Sequence, residues 1–86
     1  MKLKNGFVLR EVAGEIVVIP SGDELDLNVM ITLNNTGKFL WQKLENGAET
    51  EELVAALLAE YDVTPELAQQ AVEAFVARLK ELDFLA

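Results

Sequence analysis

From Leu25 to Leu33 every second residue is aliphatic: Leu25, Leu27, Val29, Ile31 and Leu33, with Asp26, Asn28, Met30 and Thr32 between them. Side chains alternate across a strand, so this period of two commits the segment to a strand with one buried face. Asn34-Asn35 then breaks the alternation and supplies helix-capping side chains. From Gly37 to Leu44 the spacing turns helical, with Leu40, Trp41 and Leu44 as an apolar stripe. A strand that runs directly into a capped helix suggests a platform that holds something.

The flanking sequence fills in the architecture. Phe7 to Ala13 reads as a first strand and Ala13-Gly14 as a hairpin turn, glycine supplying the unusual dihedral. Glu15 to Ile19 is a β-branched run ended by Pro20, and Ser21 to Glu24 turns the chain into the alternating strand. Short connections favour an antiparallel sheet in chain order. Asn46-Gly47 stops the first helix. Thr50 is expected to cap the second, which buries Leu53, Val54, Leu57, Leu58 and Tyr61. Thr64-Pro65-Glu66 starts the third, whose apolar side comprises Ala68, Ala71, Val72, Phe75, Leu79 and Leu82. Trp41 and Phe75 read as core anchors. The expectation is one α+β domain over residues 1–86. Its three-stranded antiparallel sheet is followed by three helices in a winged helix-turn-helix-like arrangement, with the helices on one sheet face.

Composition removes most chemistry. There is no Cys and no His, and the only Ser is Ser21, in a turn between strands. Thiolate and nucleophile–base catalysis and the commonest metal ligands are therefore missing, and we expect no enzyme, no metal and no cofactor. Thr36-Gly37-Lys38 lacks the glycine spacing of a phosphate-binding loop. An acyl carrier protein is excluded because its attachment serine opens a helix. Net charge is −8, and from Leu44 to Ala77 eight acids fall with no Lys or Arg. Nucleic-acid binding needs cations to displace counterions, so DNA and RNA are not expected partners. With no signal-like or membrane-length apolar segment, a cytoplasmic protein without membrane attachment is the expectation.

What survives is geometric. The last strand of the meander is a sheet edge, with Asp26 its only charge and no Lys or Pro to blunt it. An extended peptide could add there as a fourth strand. The edge could equally be covered by the third helix, by the Met1–Gly6 arm, or by a second copy in a homodimer.

Leu27-Asn28, Ile31-Thr32-Leu33-Asn34-Asn35-Thr36-Gly37-Lys38-Phe39-Leu40-Trp41 and Gly47-Ala48-Glu49-Thr50-Glu51-Glu52-Leu53 resemble the PqqD family of pyrroloquinoline-quinone biosynthesis proteins, also called RiPP recognition elements. The similarity runs from the Phe7-Val8-Leu9-Arg10 strand to Leu82-Asp83-Phe84-Leu85. The resemblance implies a non-catalytic, chaperone-like domain that binds the leader segment of a ribosomally made precursor peptide. It presents that peptide to a modifying enzyme, often a radical S-adenosylmethionine protein. In such proteins the leader pairs with the third strand beside the third helix. Carried onto this chain, the docking strand is Leu27, Asn28, Val29, Met30, Ile31, Thr32 and Leu33. The groove wall is then either Ala71, Phe75 and Arg78 or Val72 and Val76. Arg78 could pair with a leader carboxylate, or form an intrahelical ion pair near Glu81 and Asp83. Gly22-Asp23-Glu24 stands where quinone-pathway members carry a proline–acid element, and Asn35 where relatives often have Glu. Both departures point to another peptide pathway. The competing class is a winged-helix DNA-binding regulator, but Leu67 to Leu82 carries only Arg78 and Lys80 against Glu73 and Glu81.

Overall fold

Two consecutive residues with positive φ, Ala13 at 52° and Gly14 at 83°, turn the first hairpin. Left-handed dihedrals at both positions match the twist of the strands they join. The computed structural model describes residues 1–20 and 31–86. Strand β1 (Phe7–Val12) pairs antiparallel with β2 (Glu15–Pro20), and β2 with β3 (Ile31–Leu33), giving the order β1-β2-β3. The register sets Val18 opposite Leu9 on one side and Ile31 on the other. The sheet is thus the chain-order meander the sequence implies. Residues 21–30, with the Ser21–Glu24 turn and the first part of the alternating strand, lie outside the described residues.

Helix α1 (Asn35–Glu45) follows β3 without a linker. Asn34 remains extended, and its Oδ1 accepts the Gly37 N–H at 2.7 Å. Helix α2 (Thr50–Glu60) begins one residue earlier than expected, capped by Glu49 rather than Thr50. Glu49 has the extended backbone of a cap, and its N–H donates to Glu52 Oε1 at 3.1 Å, whereas Thr50 is already helical. Helix α3 (Pro65–Glu81) starts as predicted, with the Leu67 N–H donated to Thr64 Oγ1.

Ile16, Val18, Ile31 and Leu33 of the sheet pack with Leu40, Trp41 and Leu44 of α1, Leu53 and Leu57 of α2, and Ala68, Val72, Val76 and Leu79 of α3. Several sequence expectations change here. Leu58, one residue round the helix from Leu57, is exposed. Ala71 is also exposed and Phe75 is only half-buried, so Phe75 is not a core anchor, whereas Trp41 is. Val76, absent from the expected stripe, is buried instead.

The far end of the core is closed by Phe84, which is fully buried. It lies edge-on to Trp41 at 6.0 Å between centroids and tilted against Phe7 at 4.4 Å. A left-handed Asp83 (φ 62°) ends α3, with the Asp83 N–H donated to Lys80 O and the Phe84 N–H to Leu79 O. These paired bonds are a Schellman stop, and they swing Phe84 under the helix that precedes it. The N-terminal arm secures this tail. Leu3 bridges Leu85, the Lys4 N–H donates to Phe84 O at 2.8 Å, and Lys4 pairs with Asp83 at 2.7 Å. The arm therefore lies against the C-terminal tail. Among the described residues it is not paired with β3.

Two stability predictions follow. A Cβ in the left-handed region costs about 1 kcal/mol, and Asn tolerates that region better than Ala. Ala13→Asn should raise the urea midpoint; an unchanged or lower midpoint would contradict the turn geometry. Phe84→Ala should cost about 3–5 kcal/mol, a large share of the stability of so small a domain. A loss below about 1 kcal/mol by urea titration would show that the tail does not close the core.

Candidate functional site: a cleft between β3 and α3

The seat of α3 creates the cleft. Ala68, Val72, Val76 and Leu79 lie on one helical line and hold the helix to the core. On the adjacent line stand Ala71, Ala74, Phe75 and Arg78, and two of these end at a methyl group. Small side chains there cannot fill the space toward the sheet. The result is a depression of ≈ 600 Å³. Its sheet wall is Thr32, Leu33 and Asn34, its end wall comes from Thr36, Gly37 and Leu40 of α1, and its opposite wall is the second line of α3.

Gly37 fits this corner because of what surrounds it. A Cβ on Gly37 would stand 3.2 Å from Asn34 Oδ1 and 3.3 Å from Leu33 Cβ. Asn34 Oδ1 is fixed by its capping bond and Leu33 Cβ by the strand, so neither yields easily. Glycine lets the first turn of α1 close against the end of β3.

β3 pairs with β2 on one side, and among the described residues it has no strand partner on the other. Ile31 and Leu33 point into the core and Thr32 is exposed, and Thr32 and Leu33 line the cleft. Among the described residues, Arg78 is the one ionisable residue lining the depression. No ion pair joins it to any described residue, and Asp83 is paired with Lys4 instead.

The sequence-derived candidates sort cleanly. Thr32, Leu33, Ala71, Phe75 and Arg78 all line the cleft. Ile31 is buried behind the strand and can contribute only backbone. Leu27, Asn28, Val29 and Met30 lie outside the described residues. Val72 and Val76 are excluded as a groove wall, because both are buried in the core. Asn34, Thr36, Gly37, Leu40 and Ala74 were not among the candidates. Ala74 was accessible from helical spacing, one turn from both Ala71 and Arg78.

Comparison with known proteins bears on this arrangement. The family model for Coenzyme PQQ synthesis protein D (PqqD) matches residues 5–85. No curated protein sequence gives a match. Among solved structures, TbiB1 in complex with the TbiA(beta) leader peptide superposes with a TM-score of 0.78 at 26% identity, over 99% of this chain and 94% of that one. Lasso peptide synthetase B1 complexed with the leader peptide gives a TM-score of 0.70 at 23% identity, over 93% and 89%. At that lower identity the likeness speaks for the fold alone. With the family model spanning nearly the whole chain and the fold reproduced by these neighbours, this protein belongs to the PqqD family.

Proposed function

We propose that this chain binds the leader segment of a ribosomally synthesised precursor peptide by strand addition to β3, and performs no chemistry of its own. The observation that carries the reading is an edge strand, without an outer strand partner among the described residues, that lines a cleft whose opposite wall carries Ala71, Ala74 and Phe75. An added strand lies about 4.8 Å from its neighbour and takes its affinity from main-chain hydrogen bonds. Ala71 and Ala74 leave room for its backbone, and Phe75 offers a partly exposed ring to its side chains. The complex of the TbiB1 relative with a leader peptide supports this assignment.

Thr32, Leu33, Ala71, Phe75 and Arg78 are the described residues we assign to peptide contact, with the backbone of Ile31. The docking strand extends, on this reading, through Leu27, Asn28, Val29 and Met30. Arg78 selects a peptide carboxylate, since among the described residues it is the one cation lining the cleft and forms no ion pair with a described acid. The bound leader delivers its precursor to a separate modifying enzyme, for which a radical S-adenosylmethionine protein is one candidate. The departures at Gly22-Asp23-Glu24 and Asn35 favour a peptide pathway other than quinone synthesis. No helix among the described residues is long and apolar enough to cross a membrane.

Amide NMR of labelled protein tests the reading, using a leader peptide encoded beside this gene and a DNA duplex in parallel. We expect the Ile31–Leu33 amides and those around Phe75 to move with peptide and stay still with DNA. Shifts with DNA alone would overturn the assignment. So would a protein whose mass doubles with concentration while the same β3 amides become protected, because a second copy would then occupy the edge. The Arg78 contact is tested separately. Arg78→Gln should weaken an acidic leader roughly ten-fold, about 1.4 kcal/mol, and leave a variant leader with that acid neutralised unaffected. Equal losses for both peptides would assign Arg78 to packing.

A further inference from the structure

A second depression of ≈ 230 Å³ lies beside the cleft, between the end of α2 and the start of α3. Its lining is Leu57, Tyr61, Val63, Leu67, Ala68 and Ala71, together with Thr36, and none of these carries a charge at neutral pH. Val63 is 40% exposed and Leu67 57%, placing both among the most exposed large aliphatic residues described. Neither is needed by the core, which α3 meets through Ala68, Val72, Val76 and Leu79. Thr36 and Ala71 line both depressions, so the two adjoin at these residues.

We infer that this pocket receives an apolar side chain of the same bound peptide, from a residue beyond the segment that adds to β3. The inference rests on the leader-binding reading and adds a second anchor to it. The shared wall identifies the occupant: a peptide lying in the cleft that continues past Thr36 and Ala71 reaches the second depression. Helix rise sets the spacing. Leu67 lies about 12 Å along α3 from Phe75 at about 1.5 Å per residue. An extended peptide covers that distance in about four residues at about 3.3 Å each. The recognised peptide therefore carries two apolar residues about four positions apart, one over Phe75 and one between Val63 and Leu67. The pocket accepts an aliphatic or aromatic side chain and rejects a charged one, because nothing in its lining would pair with a charge.

The test uses the full chain and a display library of random twelve-residue peptides. Selected peptides should shift the Ile31–Leu33 amides together with the Val63 and Leu67 methyl resonances, and should share apolar residues at about the stated spacing. The double variant Val63→Ala/Leu67→Ala should bind them roughly ten-fold more weakly. Leu58→Ala, an exposed leucine outside both depressions, should bind them unchanged. Shifts at β3 with silent Val63 and Leu67 methyls, and undiminished affinity in the double variant, would overturn the second anchor and leave strand addition standing. A library yielding no peptide that perturbs β3 would overturn both.

Discussion

The bond from the Gly37 N–H to Asn34 Oδ1 is the joint on which the working part of this molecule turns. It ends the strand and starts the helix within one residue, so no loop intervenes to blur their relative placement. A side-chain cap of this kind is worth about 1 kcal/mol, modest in energy. Its structural effect is larger. β3 supplies one wall of the cleft and the first turn of α1 closes its end, and both are positioned by the same amide. The missing Cβ at Gly37 belongs to the same constraint, since any larger residue would press on the cap and on Leu33 together.

The third helix divides its labour by angle. A band of apolar residues wider than the core requires covers two neighbouring lines on α3. Ala68, Val72, Val76 and Leu79 seat the helix, while Ala71, Ala74 and Phe75 are left facing the space beside β3. This allocation was the least legible part of the sequence. Both lines are apolar, and helical periodicity alone cannot say which one the sheet will meet. Helical spacing points to Ala68, Val72 and Leu79, which are buried, but equally to Ala71, which is exposed, and Phe75, which is half-buried, and it passes over Val76, which is buried. Which line of α3 is seated depends on its packing against the rest of the core, and no local pattern records it.

Other features were readable because their causes are local. The hairpin at Ala13-Gly14, the strand-to-helix junction at Asn34 and the Thr64-Pro65 start each follow from the backbone preferences of a few adjacent residues. The Glu49 cap was missed because threonine is the commoner cap. Only the extended backbone of Glu49 and its reciprocal partner Glu52 distinguish the two positions. Phe84 was missed as a core residue for a different reason. It lies outside any periodic element, and its burial depends on the Schellman stop and on a bridge to residues at the opposite end of the sequence. The site was legible as an edge strand because alternation is a strong signal. It was illegible as a cavity, because a cavity is defined by the side chains that do not fill it.

An arginine in the cleft of so acidic a chain has a kinetic consequence. The chain carries a net charge of −8, so an acidic peptide approaching from solution is repelled by the molecule as a whole, while Arg78 is the cation that the described residues bring to the cleft. The two forces act at different ranges. The screening length is about 30 Å at 0.01 M salt and about 8 Å at physiological ionic strength. Added salt therefore suppresses the long-range repulsion well before it weakens a contact already made. For such a peptide, encounter quickens as salt rises from low values, while the lifetime of the complex changes little. That is the reverse of the salt response of a cationic groove that draws its ligand in from a distance.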